Sequence, residues 1–250
     1  MKISVVTTCH NSEATIAWTI RSFLSQTYPD KEMLIIDGAS TDRTLEITKK
    51  FASSDIRIVS EPDNGMYDAM NKGLRLYTGD AIGFLNSDDT FHGTDALSRI
   101  ADGLKKADAV HSGVVFVKNH ETKKIVRTWK GESFKRGQFR WGWLPPHPTF
   151  YIRRSLAERT GEFDLSYASA ADYDYMLRAL ELHAESAAYV PGPLVDFLAG
   201  GASSGLKSVV LANFGCLRSR RRHLGAPALD LAFFLKPGLK MLLQNPLNRR

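Results

Sequence analysis

The sequence contains few cysteines and no long uninterrupted apolar run. Its two cysteines, Cys9 and Cys216, lie far apart and form neither a metal-ligand spacing nor a disulfide framework. No run approaches the roughly 18 apolar residues of a membrane-spanning helix, and the first residues lack the apolar core of a signal peptide. These absences argue against disulfide-rich, zinc-binding and membrane-spanning classes, and they predict a protein of a reducing compartment, the cytoplasm.

Acidic residues are scarce in one segment, residues 203–250, which has nine lysines and arginines and a single acid, Asp230. This tail carries +8 and residues 1–202 carry −2, which together give the net charge of +6. A basic tail beside the apolar residues 229–235 predicts peripheral attachment to the inner face of the cytoplasmic membrane, with a solvated basic helix as the alternative. Nucleic-acid binding is disfavoured, because aromatic residues do not interleave with the basic ones and the body is slightly acidic.

Short apolar runs alternate with helical patterns in the first half of the chain. Strands are predicted at 3–9, 33–36, 56–60 and 81–85, and helices at 12–26, 41–51 and 65–76. Continuous apolar strands separated by helices are typical of a parallel, doubly wound sheet. We therefore expect a nucleotide-binding α/β half over residues 1–105.

The pattern changes after residue 105. Strands at 109–117 and 125–129 flank a polar turn and predict an antiparallel hairpin, and a helix is predicted at 170–182. We expect residues 106–202 to form the second half of the same domain. The glycine-rich residues 200–205 would be a lid over a ligand or an inert linker. The tail, 203–250, would contain amphipathic helices at 209–222 and 229–243.

Acidic motifs follow three successive predicted strands. Asp37 ends the second strand, Glu61 and Asp63 follow the third, and Asp88 and Asp89 follow the fourth. The carboxyl ends of parallel strands meet at one sheet edge, where ligands bind. Adjacent carboxylates repel each other, and a divalent cation with a nucleotide diphosphate would relieve that cost. Solvated turns and helix caps are the alternative for each acid.

The order of the motifs carries a resemblance. Residues 3–11, 34–42, 60–73, 84–89, 163–164 and 170–178 resemble the motifs of family 2 glycosyltransferases with the GT-A fold. The similarity covers roughly residues 1–200. The middle run is most similar to transferases that build bacterial exopolysaccharide, such as colanic-acid-type enzymes.

This resemblance implies an α/β fold of GT-A type. It would have a Rossmann-like, mostly parallel central sheet flanked by helices, a small antiparallel acceptor-side region and C-terminal amphipathic helices. The implied reaction is inverting transfer of a sugar from a nucleotide-sugar donor, with UDP favoured and GDP possible, to a glycan or polyprenyl-linked acceptor. The implied cofactor is Mn²⁺ or Mg²⁺.

The resemblance also assigns residues to the donor site. The implied nucleotide-binding residues are Thr7, Thr8, Asn11, Asp37, Glu61, Asp63, Lys72 and Asp88. Asp37 would accept a hydrogen bond from the base. Asp89 would contact the metal ion directly, and Asp88 would bind the ribose or a metal-bound water. Asn86 stands where the family usually has the first acid of this motif, which leaves the division of roles between Asp88 and Asp89 open.

On the acceptor side, Asp172 matches the catalytic base of the family. A helix acid stabilised by the helix dipole is the alternative for Asp172, and Asp174 is a rival base. Four further residues have two interpretations each. His147 would contact diphosphate or acceptor, or be structural; Trp141 and Trp143 would stack on an acceptor sugar or cover the core; Arg178 would pair with Asp174 or approach phosphate.

Two other functions compete with glycosyl transfer. The first is a sugar-nucleotide-binding or nucleotidyl-transferring protein on the same fold. Nucleotidyl transfer normally uses a glycine-rich phosphate loop with a basic residue near the N-terminus, and residues 7–12 have neither. The second is a nucleic-acid-binding protein recruited by the tail, which the charge distribution disfavours.

Overall fold

A mixed sheet forms the centre of the protein. The computed structural model describes residues 1–200 and 206–225. Nine strands lie in this part of the chain: β1 (Ile3–Cys9), β2 (Lys31–Asp37), β3 (Ile56–Ser60), β4 (Ala81–Phe84), β5 (Thr90–Phe91), β6 (Ala109–Val117), β7 (Ile125–Trp129), β8 (Tyr151–Arg153) and β9 (Ala187–Leu198). Their order across the sheet is β3-β2-β1-β4-β8-β6-β9-β5, and β7 pairs with β6.

Seven α-helices cover the sheet in the described residues. They are α1 (Ile16–Leu24), α2 (Thr44–Lys49), α3 (Met66–Leu76), α4 (Ala96–Leu104), α5 (Arg154–Thr160), α6 (Ala171–Leu177) and α7 (Leu206–Leu224). The first four strands of the central run, β3, β2, β1 and β4, are parallel. The predicted parallel half is therefore confirmed, with helices as the connections.

Helices pack on both faces of the sheet, which explains the continuous apolar strands. Val5 and Val6 are neighbours in β1 and both are fully buried, but they belong to opposite cores. Val6 packs in the core that contains α3 and α6, and Val5 packs in the core that contains α1 and α4. Successive strand residues point to opposite faces, so a strand buried on both faces needs apolar residues throughout.

The second half of the sheet contains antiparallel pairs. The predicted hairpin of β6 and β7 is confirmed, and β8 runs antiparallel to both β4 and β6. The long strand β9 was not predicted, because Pro191 and Pro193 argue against a strand. The sheet tolerates them through register shifts opposite Gly113, where β9 pairs with β6. Because β4 pairs with β8, the sheet crosses the boundary predicted at residue 105, and the division into halves stays a prediction.

The first predicted tail helix is confirmed as α7. It lies against α6 and the preceding 3-10 segment, Leu165–Ala170. The contact is close, since a Cβ added at Gly215 would lie 2.5 Å from the Cβ of Ala170. The predicted helix at 229–243 and residues 201–205 of the predicted lid lie outside the described residues. None of the described helices has both the length and the apolar character needed to cross a membrane.

Candidate active site

The loops after the first four parallel strands meet at one edge of the sheet. The Asn11 backbone N–H donates to Ser40 Oγ at 2.9 Å, which joins the loops after β1 and β2. The Glu61 N–H donates to the Asp37 carbonyl oxygen at 3.0 Å, which joins the loops after β2 and β3. Ser87 completes the edge through its hydroxyl, 3.0 Å from that of Ser12. The predicted convergence of these strand ends is therefore present.

The side chains of Thr7 and Thr8 are buried at the end of β1. Any contact that they make with a nucleotide would come through the backbone, as the resemblance implies. Asn11 lies beyond them with a left-handed backbone, at φ of 50°. Its side-chain oxygen accepts from the Thr41 N–H at 2.9 Å. Asn11 therefore holds the two loops together at the open edge.

Asp37 is fully buried below this edge. Its carboxylate accepts from the Ser40 N–H and hydroxyl and from the Ser60 hydroxyl, the last at 2.6 Å. These donors come from the loop after β2 and the end of β3, so Asp37 orders the edge from below. A nucleotide base would have to displace a serine to reach it. The assignment of Asp37 to base recognition stays a prediction.

Asp63 provides an open carboxylate at the same edge. One of its oxygens accepts from the Gly65 N–H at 2.8 Å. The other lies 2.5 Å from the position that a Cβ on Gly38 would take. Among the described residues, no hydrogen bond reaches this second oxygen. The missing side chain at residue 38 therefore leaves room for Asp63 at the end of β2.

Glu61 and Lys72 form an ion pair with each other. The Lys72 ammonium lies 3.0 Å from a Glu61 carboxylate oxygen and donates to the Pro62 carbonyl oxygen at 2.6 Å. The Lys72 side chain is largely buried. Both residues were predicted to bind nucleotide. In this structure they close the loop of residues 61–65 that carries Asp63.

The loop of residues 86–89 contains one closed and one open carboxylate. Asp89 is 1% exposed and accepts from the Asn86 amide at 2.8 Å and the Leu198 N–H at 3.1 Å. Burial, with a smaller effect from Asp88, raises the Asp89 pKa. Asp88 is half-buried, burial raises its pKa, and no hydrogen bond from another described side chain reaches its carboxylate. These contacts favour Asp88 over Asp89 for a direct ligand contact.

His120 contacts this loop from the turn between β6 and β7. The sequence did not indicate this contact. Its Nε2 atom lies 2.9 Å from the Asp88 carbonyl oxygen, and its ring lies against Trp18 of α1 with centroids 6.0 Å apart. His120 belongs to the polar turn of the hairpin, where nothing in the local sequence pattern points to the strand end after β4.

Asp172 lies in the first turn of α6 and is half-buried. Its Oδ1 atom accepts from the Tyr67 hydroxyl at 3.2 Å and from the Tyr173 N–H at 2.8 Å. Sequence reasoning missed Tyr67. The available signal was its spacing to Asn71, since residues four apart share a helix face. The Asn71 amide bonds the backbone of Phe163, at 3.0 and 2.8 Å, on the same side of α3.

His147 packs beside the end of β4. Its ring stacks on Phe84, the last residue of β4, with centroids 5.6 Å apart, and meets Phe163 edge to face at 6.1 Å. Burial lowers the His147 pKa, and the charge of Asp172 opposes that effect only in part. These ring contacts favour the structural interpretation of His147.

The contacts of Arg178 and Asp174 bear on their rival interpretations. Arg178 binds Asp174 at 2.7 Å and the Glu162 carbonyl oxygen at 2.7 Å, so the pairing interpretation describes its contacts. Asp174 is fully buried and also accepts from Ser219 at 2.8 Å, which leaves it no access to an acceptor.

The two tryptophans of the predicted loop differ in exposure. Trp143 packs against Phe139 and His111, with ring centroids 5.3 and 5.4 Å apart, and therefore covers the core. Trp141 is 74% exposed. Of these two tryptophans, Trp141 is the one with an open aromatic face.

The donor set suits a hard cation in part. No group of three or more histidine, cysteine, aspartate or glutamate side chains is placed to hold a metal ion within residues 1–200 and 206–225. Asp88 offers an open, half-buried carboxylate, and the buried carboxyl group of Asp89 follows it in the chain. Mg²⁺ and Mn²⁺ commonly bind one or two carboxylates together with water and substrate phosphate oxygens. The residues present fit such a shared site, in which Asp88 would be the protein ligand.

The chain matches the family described as Glycosyl transferase family 2 over residues 4–161. It is 31% identical over 190 residues to a PGL/p-HBAD biosynthesis glycosyltransferase of Mycobacterium bovis. The alignment covers 70% of this chain and 68% of that protein.

Solved structures share the fold at low identity. Residues 1–349 of S. aureus TarS in complex with UDP-GlcNAc match with a TM-score of 0.70 at 18% identity, covering 98% of this chain and 72% of that one. The mannosyltransferase PcManGT from Pyrobaculum calidifontis, in complex with GDP-Man and Mn²⁺, matches with a TM-score of 0.65 at 18% identity, covering 96% and 68%. With the family match over most of the sheet, these likenesses establish that the chain is a glycosyltransferase of family 2 with the GT-A fold.

Proposed function

We propose that this protein transfers a sugar from a nucleoside diphosphate to a glycan or lipid-linked acceptor with inversion at the anomeric carbon. The observation that carries the proposal is the position of Asp172. It is a half-buried carboxylate in the first turn of α6 whose Oδ1 atom accepts from the Tyr67 hydroxyl, and no hydrogen bond among the described residues reaches its Oδ2 atom. An inverting reaction needs one base on the acceptor side and an anion-binding edge on the donor side.

The donor would bind across the ends of β1, β2 and β3. Asp63 offers a carboxylate oxygen beside Gly38, and a uracil or guanine ring has an N–H to donate to it. Asp37 would act from below by ordering the loop through its serine partners. UDP is the favoured donor nucleotide and GDP remains possible, in line with the UDP-GlcNAc and GDP-Man bound by the two structural neighbours.

Asp88 would hold Mn²⁺ or Mg²⁺ together with the donor diphosphate, and the buried Asp89 would hold the loop in place through its bonds with Asn86 and Leu198. When bound, the cation supplies positive charge that stabilises the departing diphosphate. The bound cation in PcManGT supports this choice of cofactor. This proposal reverses the roles that the sequence suggested for Asp88 and Asp89, because Asp89 is enclosed by the Asn86 amide and the Leu198 N–H.

Asp172 would act as general base. The acceptor hydroxyl oxygen forms a bond to the anomeric carbon while the bond from that carbon to the diphosphate oxygen breaks. The hydroxyl proton moves to Asp172, and the electron pair leaves with the nucleoside diphosphate. One displacement inverts the centre, so an α-linked donor yields a β-linked product.

The acceptor would lie on the side of His147 and Trp141. The indole of Trp141 is exposed enough to stack on a sugar ring. The curated relative acts, by its name, in PGL/p-HBAD biosynthesis, which supports a glycolipid or glycan acceptor. A membrane-bound acceptor agrees with the basic tail, although Arg218 and Arg222 of the tail contact Ser166 and Asp164 of the body. The proposed membrane contact therefore depends chiefly on residues 226–250.

Calorimetric titration with UDP and GDP, with and without Mn²⁺, tests the donor site. We expect metal-dependent binding of one nucleotide that Asp88→Asn weakens by at least tenfold. Asp102→Asn is the matched control, because Asp102 is an exposed aspartate on α4 that pairs with Lys105. Failure of a folded protein to bind either nucleotide at millimolar concentration would refute the donor assignment.

Product analysis tests the reaction. We expect Asp172→Asn to lower the release of UDP from UDP-GlcNAc, or of GDP from GDP-mannose, by about 10²–10⁴-fold while nucleotide binding is retained. The anomeric configuration of a transferred product, read by NMR, would show inversion. Retention of configuration would contradict the single displacement.

A further inference from the structure

The two oxygens of Asp172 have different surroundings. Oδ1 accepts two hydrogen bonds, from the Tyr67 hydroxyl at 3.2 Å and from the Tyr173 N–H at 2.8 Å. Within the part of the chain that the structure describes, no hydrogen bond reaches Oδ2. A carboxylate oxygen that already accepts two donors is a poor proton acceptor, so the pair of bonds leaves Oδ2 as the reactive oxygen.

Tyr67 is held firmly in this position. It lies in the first turn of α3 and is half-buried, and its ring packs on Phe163 with centroids 5.8 Å apart. Phe163 is fixed in turn by the Asn71 amide, which bonds both its N–H and its carbonyl oxygen, and by the ring of Tyr175 at 4.3 Å. The Tyr67 hydroxyl therefore cannot leave Asp172 without disturbing a buried aromatic cluster.

The Tyr67 hydroxyl is a permanent donor. Burial, together with the charge of Asp172, raises the Tyr67 pKa above its ordinary value. The phenol thus keeps its proton wherever the protein is folded. Among the described residues, the titratable groups whose charge couples to the pair or that lie on the same helix include His147, Cys216 of α7, and Asp174 of α6, which forms an ion pair with Arg178.

We propose that Tyr67 is the positioning residue of the general base: it fixes Oδ1 of Asp172, stabilises the carboxylate form, and directs Oδ2 to the acceptor hydroxyl. This inference rests on the proposed function, in which Asp172 is the base. It also links α3 to both the donor side and the acceptor side of the proposed site. The helix begins directly after the loop of residues 61–65, so the element that carries the donor-side Asp63 also orients the base.

The test is the pH dependence of Tyr67→Phe, which removes the hydroxyl and keeps the ring. The probe reaction is the release of UDP from UDP-GlcNAc and of GDP from GDP-mannose, with Mn²⁺ and with water as acceptor. Loss of the donor should move the acid limb of the kcat profile upward by about one pH unit, which lowers kcat about tenfold on the acid side. Nucleotide affinity and donor KM should stay within about twofold.

Tyr175→Phe is the matched control. Its hydroxyl is buried without a hydrogen-bond partner in the described chain, and its ring packs on the same Phe163. Removal of this hydroxyl should leave the pH profile unchanged. Urea unfolding of both variants shows whether Tyr67→Phe is folded.

A second measurement does not depend on turnover. NMR of ¹³C-labelled aspartate carboxyls, with Asp172→Asn used to identify the signal, reports the titration midpoint of Asp172. We expect Tyr67→Phe to raise this midpoint, because the carboxylate form loses a hydrogen-bond donor. An unchanged midpoint and an unchanged kcat profile would overturn the inference, whereas wild-type turnover by Asp172→Asn would overturn the proposed base itself.

Discussion

His111 makes the stability of this protein sensitive to mild acid. The side chain is fully buried on β6, between the rings of Trp143 and Tyr189, whose centroids lie 5.4 and 5.8 Å away. Neither ring nitrogen has a hydrogen-bond partner among the described residues. Burial alone lowers the His111 pKa from 6.5 to about 4.

The direction of the effect follows from proton linkage. Above pH 6.5 the folded and unfolded states both keep the imidazole neutral, so its contribution does not vary. Between pH 6.5 and 4 the unfolded chain takes up a proton that the folded chain refuses, and the free energy of unfolding falls. The fall is about 1.4 kcal/mol per pH unit, which amounts to about 2 kcal/mol by pH 5 and about 3 kcal/mol by pH 4.

The assay is urea unfolding at pH 7.5 and pH 5.0 of the wild type and of His111→Leu. The leucine variant should lose about 2 kcal/mol less between the two pH values, because it has no proton to take up. Val114→Ala is the control: Val114 is also fully buried on β6, and its truncation should destabilise equally at both pH values. An equal pH dependence in the wild type and His111→Leu would refute the reasoning.

Three further outcomes are expected. Gly38→Ala should push the carboxylate of Asp63 aside, since the new Cβ would lie 2.5 Å from it, and should weaken nucleotide binding about tenfold in calorimetry while stability changes by less than about 1 kcal/mol. Asn71→Ala should cost about 2–4 kcal/mol in urea unfolding, because two buried backbone groups lose their partner. Joint replacement of Lys236 and Lys240 by glutamine should lower the affinity for phosphatidylglycerol vesicles, measured by sedimentation, by about 30-fold, at about 1 kcal/mol per charge. An unchanged affinity would contradict the membrane role of the tail.

Local patterns were sufficient for most of the parallel half of the fold. The bounds predicted for β1, β3 and β6 agree with the structure, because runs rich in β-branched and apolar residues that end in turn residues favour strands. The order of the acidic motifs was also sufficient for the family, and strand ends converge in any parallel sheet. Strand β9 could not be predicted from local sequence. Its Pro191 and Pro193 are tolerated through register shifts against β6, a strand about 80 residues earlier.

The sequence by itself determined which acids lie at the functional edge, and the tertiary structure decided which of them are open. Asp37 and Asp89 are closed by donors from distant segments, Ser60 and Leu198, while Asp63 and Asp88 keep a free oxygen. The same holds for the proposed base, because Tyr67 contacts Asp172 across 105 residues of sequence. Burial and hydrogen-bond partners are properties of packed neighbours, and local sequence does not specify which neighbours those will be.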